Sequence, residues 1–295
     1  MAVPSARLSV KRANLLRDRF LALEGHSVAG PDPIDFVHRY DAPEDKEVAA
    51  VIASALAFGR VTSFWSVLER VFDQADLRGG PAAWVDGFDA TDARALEPIF
   101  YRWTRGTDLA RLARTIGRIR KQHGSIGVIF EHSHQPNDVN LGSALSHVID
   151  AFRTASMDRP TDDFGQLPQG YRYLLPHPAS GSACKRWCML LRWMTRTEAP
   201  DLGLWDLPTN KLVIPLDTHI HRIGRLIGLT HRSDSSWRTA LEITQNLKKI
   251  DPTDPVRFDF ALAHLGISGT CKGRRIAAIC DACELQPACK TGQAG

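Results

Sequence analysis

Cys271, Cys280, Cys283 and Cys289 are the residues whose type and spacing most directly imply chemistry. They form a C-x8-C-x2-C-x5-C run holding four of the chain's six cysteines. Four thiols this close, in a chain that reads as intracellular, argue for a metal or cluster rather than a disulfide framework. Tetrahedral zinc and a [4Fe-4S] cluster each take four cysteine ligands. Zinc sites more often pair two C-x-x-C knuckles, and only one is present here. The spacing therefore favours the cluster and keeps zinc as the alternative, with four unligated thiols as the third reading. Cys184 and Cys188 stand four apart, on one face of a helix, and read as small packing residues.

A second set of residues lies in the segments ASGSACK, residues 179–185, and LDTHIHR, residues 216–222. Asp217 precedes the helical pattern THIHRIGRLIGL, where an aspartate is an N-cap. The same fixed carboxylate could stabilise positive charge that exists only in a transition state. Gly181 lets a backbone turn approach a phosphate closely at a helix start. Lys185 reads either as a phosphate contact or, as a neutral amine, as a nucleophile. His219, His221 and His264 have no metal-ligand spacing and read as structural.

The elements that must position these residues are helical. The apolar pattern has the helix period almost everywhere, period-two runs are short and ambiguous, as in Lys211 to Leu216, and no repeat is evident. Asp41, Pro43 and Glu44 predict the start of a central helix through EVAAVIASALAF, apolar nearly all round, ending at Gly59. Asp254 and Pro255 predict a second start, for VRFDFALAHLG. Residues 133–143, 158–181 and 197–210 have loop compositions. From Arg102 to Lys121 there are seven basic residues and the single acid Asp108. On a helix, Arg111, Arg114, Arg118 and Lys121 share one face and Leu109, Leu112, Ala113, Ile116 and Ile119 the other. That stripe faces either phosphate or plain solvent.

With 295 residues, 43% hydrophobic and 24% charged, the chain can bury one large core or two modest ones. The net charge of +4 and a pI near 8.8 permit an anionic partner without requiring one. Residues 1–20 contain no apolar run suited to a signal peptide, and the longest apolar stretch, Val48 to Phe58, is too short to span a bilayer. A cytoplasmic protein without membrane contact is expected.

LDTHIHR and GSACK together make the chain resemble the helix-hairpin-helix DNA glycosylase superfamily, in its endonuclease III-like, iron–sulfur branch. In that family a Leu-Pro-Gly-apolar-Gly-x-Lys hairpin leads into a helix, and a later Val-Asp-Thr-His-apolar-x-Arg segment carries the catalytic aspartate. Gly181 falls on the first glycine, Lys185 on the lysine that bifunctional members use as nucleophile, and Asp217 on the aspartate. Ala183 replaces the second glycine, Ala179 and Ser180 replace Leu-Pro, and the stretch from Lys185 to Asp217 is longer than usual. The family's cysteine motif closes with the same C-x2-C-x5-C spacing. The similarity covers roughly residues 45–290.

The resemblance implies an all-α fold of two helical domains flanking a DNA cleft, with a helix-hairpin-helix motif and a C-terminal cluster loop. Residues 1–45 would be N-terminal helices packing with the C-terminal part. Residues 46–215 would form a central domain with the hairpin, and 216–295 the aspartate helix and the cluster region. It implies a monomeric, nucleoid-associated DNA glycosylase acting on a damaged base in double-stranded DNA, with or without strand cleavage. Asp217 and Lys185 would be catalytic. Gly181, Ser182, Arg111, Arg114 and Arg118 would contact DNA, and Arg60, in the turn after the long buried helix, would plug the space of an extruded base. Two alternatives are a catalytically inert nucleic-acid-binding iron–sulfur protein and a redox role for the cluster itself.

Overall fold

The structure, a computed structural model, describes residues 8–24, 31–159 and 161–293. Of the N-terminal segment expected over 1–45, residues 1–7 and 25–30 lie outside the described ones. The protein is mostly helical. Among the described residues the one sheet is a two-stranded hairpin, β1 (Phe100–Tyr101) and β2 (Thr104–Arg105). Among the described residues no helix is long and apolar enough to cross a membrane.

The first half of the chain holds α1 (Val10–Glu24), a 3₁₀ helix Pro33–Arg39, α2 (Pro43–Leu56), α3 (Val61–Asp76), α4 (Pro81–Asp86), α5 (Ala90–Leu96), α6 (Gly106–His123) and α7 (Ile126–Ser133). The second half holds α8 (Gly142–Ala155), α9 (Gln169–Leu174), α10 (Lys185–Thr195), α11 (Thr218–Leu226), α12 (Trp237–Leu247), α13 (Asp259–Ile267) and α14 (Ala277–Cys280). Buried side chains from Leu8 to Ala288 form one continuous core.

At the centre is α2, buried without interruption from Glu47 to Leu56 because no polar face interrupts its sequence. Each fully buried valine, leucine or isoleucine contributes about 1.5–3 kcal/mol, so such a helix is stable only when wrapped. It packs on α10, α4 and the 3₁₀ helix. Its lone acid within that run, Glu47, caps α7. It accepts from Ile126 N and Gly127 N, both at 3.0 Å, and from Trp205 Nε1 at 2.9 Å. The start differs slightly from the expected one. Ala42 takes the cap position and makes no side-chain bond, so Pro43 alone sets the first turn.

Three other local expectations change. The second predicted start is displaced: residues 255–258 form turns, and the helix begins at Asp259. Asp254 still receives Val256 N, but its other oxygen is held by Arg196 Nε at 2.6 Å, which fixes it in the turn. Within the loop-like stretch 158–181 lies α9, whose six residues bury Tyr171 and Leu174 and are too few to show a period. Lys211 closes a 3₁₀ turn, Thr209–Lys211, and residues 212–216 belong to no helix or strand, with Ile214 N bonded to Thr244 Oγ1.

Candidate active site and nucleic-acid interface

The hairpin before α10 is built from a 3₁₀ turn, Pro178–Ser180, and two left-handed residues. Gly181 has φ +84°, and nothing lies near where a Cβ would stand. Cys184 has φ +50° and is the cap residue of α10. A branched backbone in that region is costly for a residue other than glycine. The cysteine is held there by its buried thiol, which points at Pro176 O and Ser182 O, 3.5 and 3.4 Å away. Burial pushes that thiol up to about 12, so it stays protonated and serves as an anchor. Ala183, at the position of the second glycine, is not left-handed, and its Cβ therefore adds no backbone strain. Ser182 bridges to Ser236, and Trp237 N donates to Gly181 O at 3.0 Å, which ties the hairpin to α12.

Asp217 caps α11, with Oδ1 accepting from His219 N and Ile220 N, both at 2.8 Å. Its Oδ2 has no hydrogen-bond partner among the described residues. Lys185 and Asp217, thirty-two positions apart in sequence, act on a common neighbour, Asp259, at the start of α13. Burial pushes Asp259 up to about 6. Arg192, 2.7 Å away, and Lys185 pull it down, while the charge of Asp217 adds to the rise. Asp32, which caps the 3₁₀ helix, is also raised by burial and also feels Arg192 and Lys185. The N-termini of α10, α11, α13 and the 3₁₀ helix thus converge. Helix starts favour negative charge, which helps Asp32, Asp217 and Asp259 to coexist there.

Asp259 and Asp32 were not legible as site residues in the sequence. The signal that could have found Asp259 was an acid at the head of an apolar run, but Asp254 gave the same signal five residues earlier. Behind Asp259 a buried network locks α10 to the turn before α13. Arg192 Nε meets Asp201 Oδ2 at 3.2 Å, and Arg196 bridges Asp201 and Asp254.

The elevated carboxyl of Asp259 gives a pH prediction. The unfolded chain's aspartate, near 3.8, loses its proton before the folded protein's does. This group's contribution to stability is therefore complete below about pH 4 and is lost as pH rises through about 6. Thermal midpoints of wild type and Asp259→Asn measured across pH 3.5–7 should diverge most steeply in that window. Parallel curves would show that Asp259 titrates elsewhere.

The basic stripe on α6 keeps its expected apolar back: Leu109, Leu112, Ala113, Ile116 and Ile119 are buried. Its front is less free than a solvated or phosphate-facing stripe would be. Arg111 Nη1 donates to Ser156 O at 2.8 Å. Arg118 reaches Ala155 O, Met157 O and Asp158 at 2.9, 3.0 and 2.9 Å. Both therefore close the C-terminus of α8, where a cation is favoured by the helix dipole. Arg114, beside the Phe88 ring, and Lys121 are exposed. We expect Arg118→Glu to cost about 1–2 kcal/mol of stability. Arg114→Glu should leave the thermal midpoint unchanged and weaken nucleic-acid binding for all sequences alike. Equal midpoints for both variants would refute the capping role. Arg60 stands exposed at the cap position of α3, directly after Gly59.

The four clustered cysteines line one largely apolar cavity with Ile223, Leu226 and Leu265. Burial raises the Cys283 thiol, and the other three cysteines add to the rise, so all four lie within electrostatic reach of one another's site. Among the described residues no three His, Cys, Asp or Glu side chains gather closely enough to ligate one ion. The loop is fastened on two sides. Arg222 donates to Cys271 O at 2.9 Å and Lys290 N to Leu226 O at 2.9 Å. From α1, Arg12 reaches Ala288 O, and Ile227 O at 3.3 Å. Gly266 leaves room for the His219 ring, into which a Cβ would intrude at 2.5 Å, so α11 and α13 pack closely beside the loop.

A family model described as "Protein of unknown function (DUF2400)" matches residues 32–268, and the chain belongs to that family. The match includes the hairpin, Lys185, Asp217 and Asp259 and stops short of the four cysteines. No curated protein and no solved structure gives a match.

Proposed function

We propose that this chain is a DNA N-glycosylase of the helix-hairpin-helix kind, acting as a monomer on a damaged or modified base in double-stranded DNA. The observation that carries the reading is that Lys185, which opens α10, and Asp217, the cap of α11, both lie within electrostatic reach of the buried Asp259. In this reading the α9–α10 hairpin receives a backbone phosphate at Gly181 and Ser182. Asp217, oriented by its own cap bonds, turns Oδ2 to the sugar whose glycosidic bond breaks. Oxocarbenium charge develops there only in the transition state, so a fixed carboxylate lowers the barrier without tightening ground-state binding. Lys185 either attacks the anomeric carbon or holds a phosphate while water attacks. Arg60 occupies the gap left by the base, whose extrusion costs a few kcal/mol.

Cys271, Cys280, Cys283 and Cys289 would hold a [4Fe-4S] cluster, supported by their spacing and by the one cavity that all four line, with zinc as the alternative. When bound it would supply a rigid cross-link of the loop against α11. A second reading, an inert nucleic-acid-binding protein, draws on one fact: Asp217 already has a complete structural role as the cap of α11. Incubating the protein with a panel of lesion-bearing duplexes, and scoring base release and strand cleavage separately, decides between them. Tight binding without release on any duplex would favour the inert reading.

A further inference from the structure

Beside the hairpin lies a group of aromatic rings contributed by distant parts of the chain. Trp103, in the turn between β1 and β2, lies nearly parallel to Phe58, at 5.6 Å and 14°. Tyr173, from α9, stands edge-on to both, 5.1 Å from Phe58 and 4.8 Å from Trp103. Tyr101 adds a fourth ring at 4.8 Å from Phe58. Core packing explains Phe58 and Tyr101, but Trp103 and Tyr173 remain 41% and 40% exposed. Two adjoining aromatic rings left open at right angles form a floor and a wall.

The floor is rigid. Arg186, buried and next to Lys185, donates to Ala55 O and Tyr173 O, near the C-terminal ends of α2 and α9. Its guanidinium lies 4.4 Å from the Tyr173 ring centre and 5.1 Å from that of Phe58. One buried cation thus fixes the aromatic corner to the start of α10.

The rim is cationic. Arg102 packs between Gly59 and Trp103. Arg60 follows Gly59, Arg105 pairs with Phe100 on the hairpin, and Arg172 precedes Tyr173. All four are exposed, and none forms a salt bridge among the described residues, in contrast to Arg111, Arg118 and Arg120 on α6. Half-exposed aromatic rings edged by arginines that form no salt bridge among the described residues match one chemistry closely: bases present a π-face for stacking while their phosphates meet the cations.

We propose that Trp103 and Tyr173 form a stacking platform for an unpaired nucleobase of the bound DNA, with Arg102, Arg105 and Arg172 meeting its backbone. This rests on the nucleic-acid reading above and adds to it a preference for DNA in which bases near the hairpin are already unstacked.

The test compares binding of the full chain to a fully paired duplex and to the same duplex carrying a three-nucleotide bulge, by fluorescence anisotropy at fixed salt. Wild type should favour the bulged duplex. Trp103→Ala should reduce that preference about tenfold, Tyr173→Ala should reduce it in the same direction, and Trp103→Phe, which keeps a ring, should restore most of it. Circular dichroism confirms that each variant is folded, and Trp103→Phe decides the matter if the alanine variant is not. Duplex binding with no preference for the bulge, or a preference that Trp103→Ala leaves intact, overturns the platform while the DNA reading stands. No binding to either duplex overturns both. Self-association abolished by Trp103→Ala would assign the face to a second copy and also overturn the proposal.

Discussion

Asp217→Asn is expected to lose base release by about 10²-fold or more, the size of effect seen when one preorganised charge-stabilising group is removed from a transition state. Asparagine caps a helix about as well as aspartate, so the bonds to His219 N and Ile220 N survive and the thermal midpoint should barely move. DNA affinity should also persist. This combination separates the two roles of the residue, because a cap alone predicts no kinetic effect for this exchange. Lys185 gives a separable result. If it attacks the anomeric carbon, borohydride traps a covalent complex with substrate DNA, and Lys185→Ala removes it. Base release without trapping assigns attack to water and leaves Lys185 as a phosphate contact. Full activity in Asp217→Asn would end the catalytic assignment.

The second large effect concerns the cysteines. Protein prepared without oxygen should contain iron and acid-labile sulfide at about four each per chain, with broad visible absorbance. Cys283→Ser should remove most of both. Because Arg12, Arg222 and Lys290 fasten the loop to α1 and α11, loss of the group should also expose the cavity beside Ile223 and Leu265. Proteolysis should then cut first near residues 270–290. Stoichiometric zinc without sulfide would overturn the cluster assignment and leave the four thiols as a metal site of another kind.

Much of this arrangement could be read from residue order. The period of α6 identified its buried face, the all-apolar run identified α2 as central, and Asp217 was recognisable as a cap from its place before THIHR. Partnership across the fold was not recoverable in that way. Periodicity says that Arg111 and Arg118 point away from the core, but not that the carbonyls ending α8 stand opposite them. Asp254 and Asp259 look alike in sequence, and only the position of Arg196 decides which one opens the helix. Trp103, in a tight turn, and Tyr173, in the six-residue α9, are seventy positions apart, so no local pattern announces that their rings meet. Arg186 likewise reads as a surface residue beside Lys185 until the ends of α2 and α9 are found on it.

The clasp of α1 on the cysteine loop bears on the order in which the molecule assembles. Arg12 and Ala288 are 276 residues apart, so their contact closes a very long loop. Loop-closure entropy must be met before such a contact stabilises anything, which places it among the late events of folding. The compact middle of the molecule, from α2 to α10, can form while the cysteine loop is still open to solvent. The proposed cluster would therefore have an entry period after the scaffold exists and before the clasp shuts. Shutting it then converts an accessible set of thiols into a sheltered one.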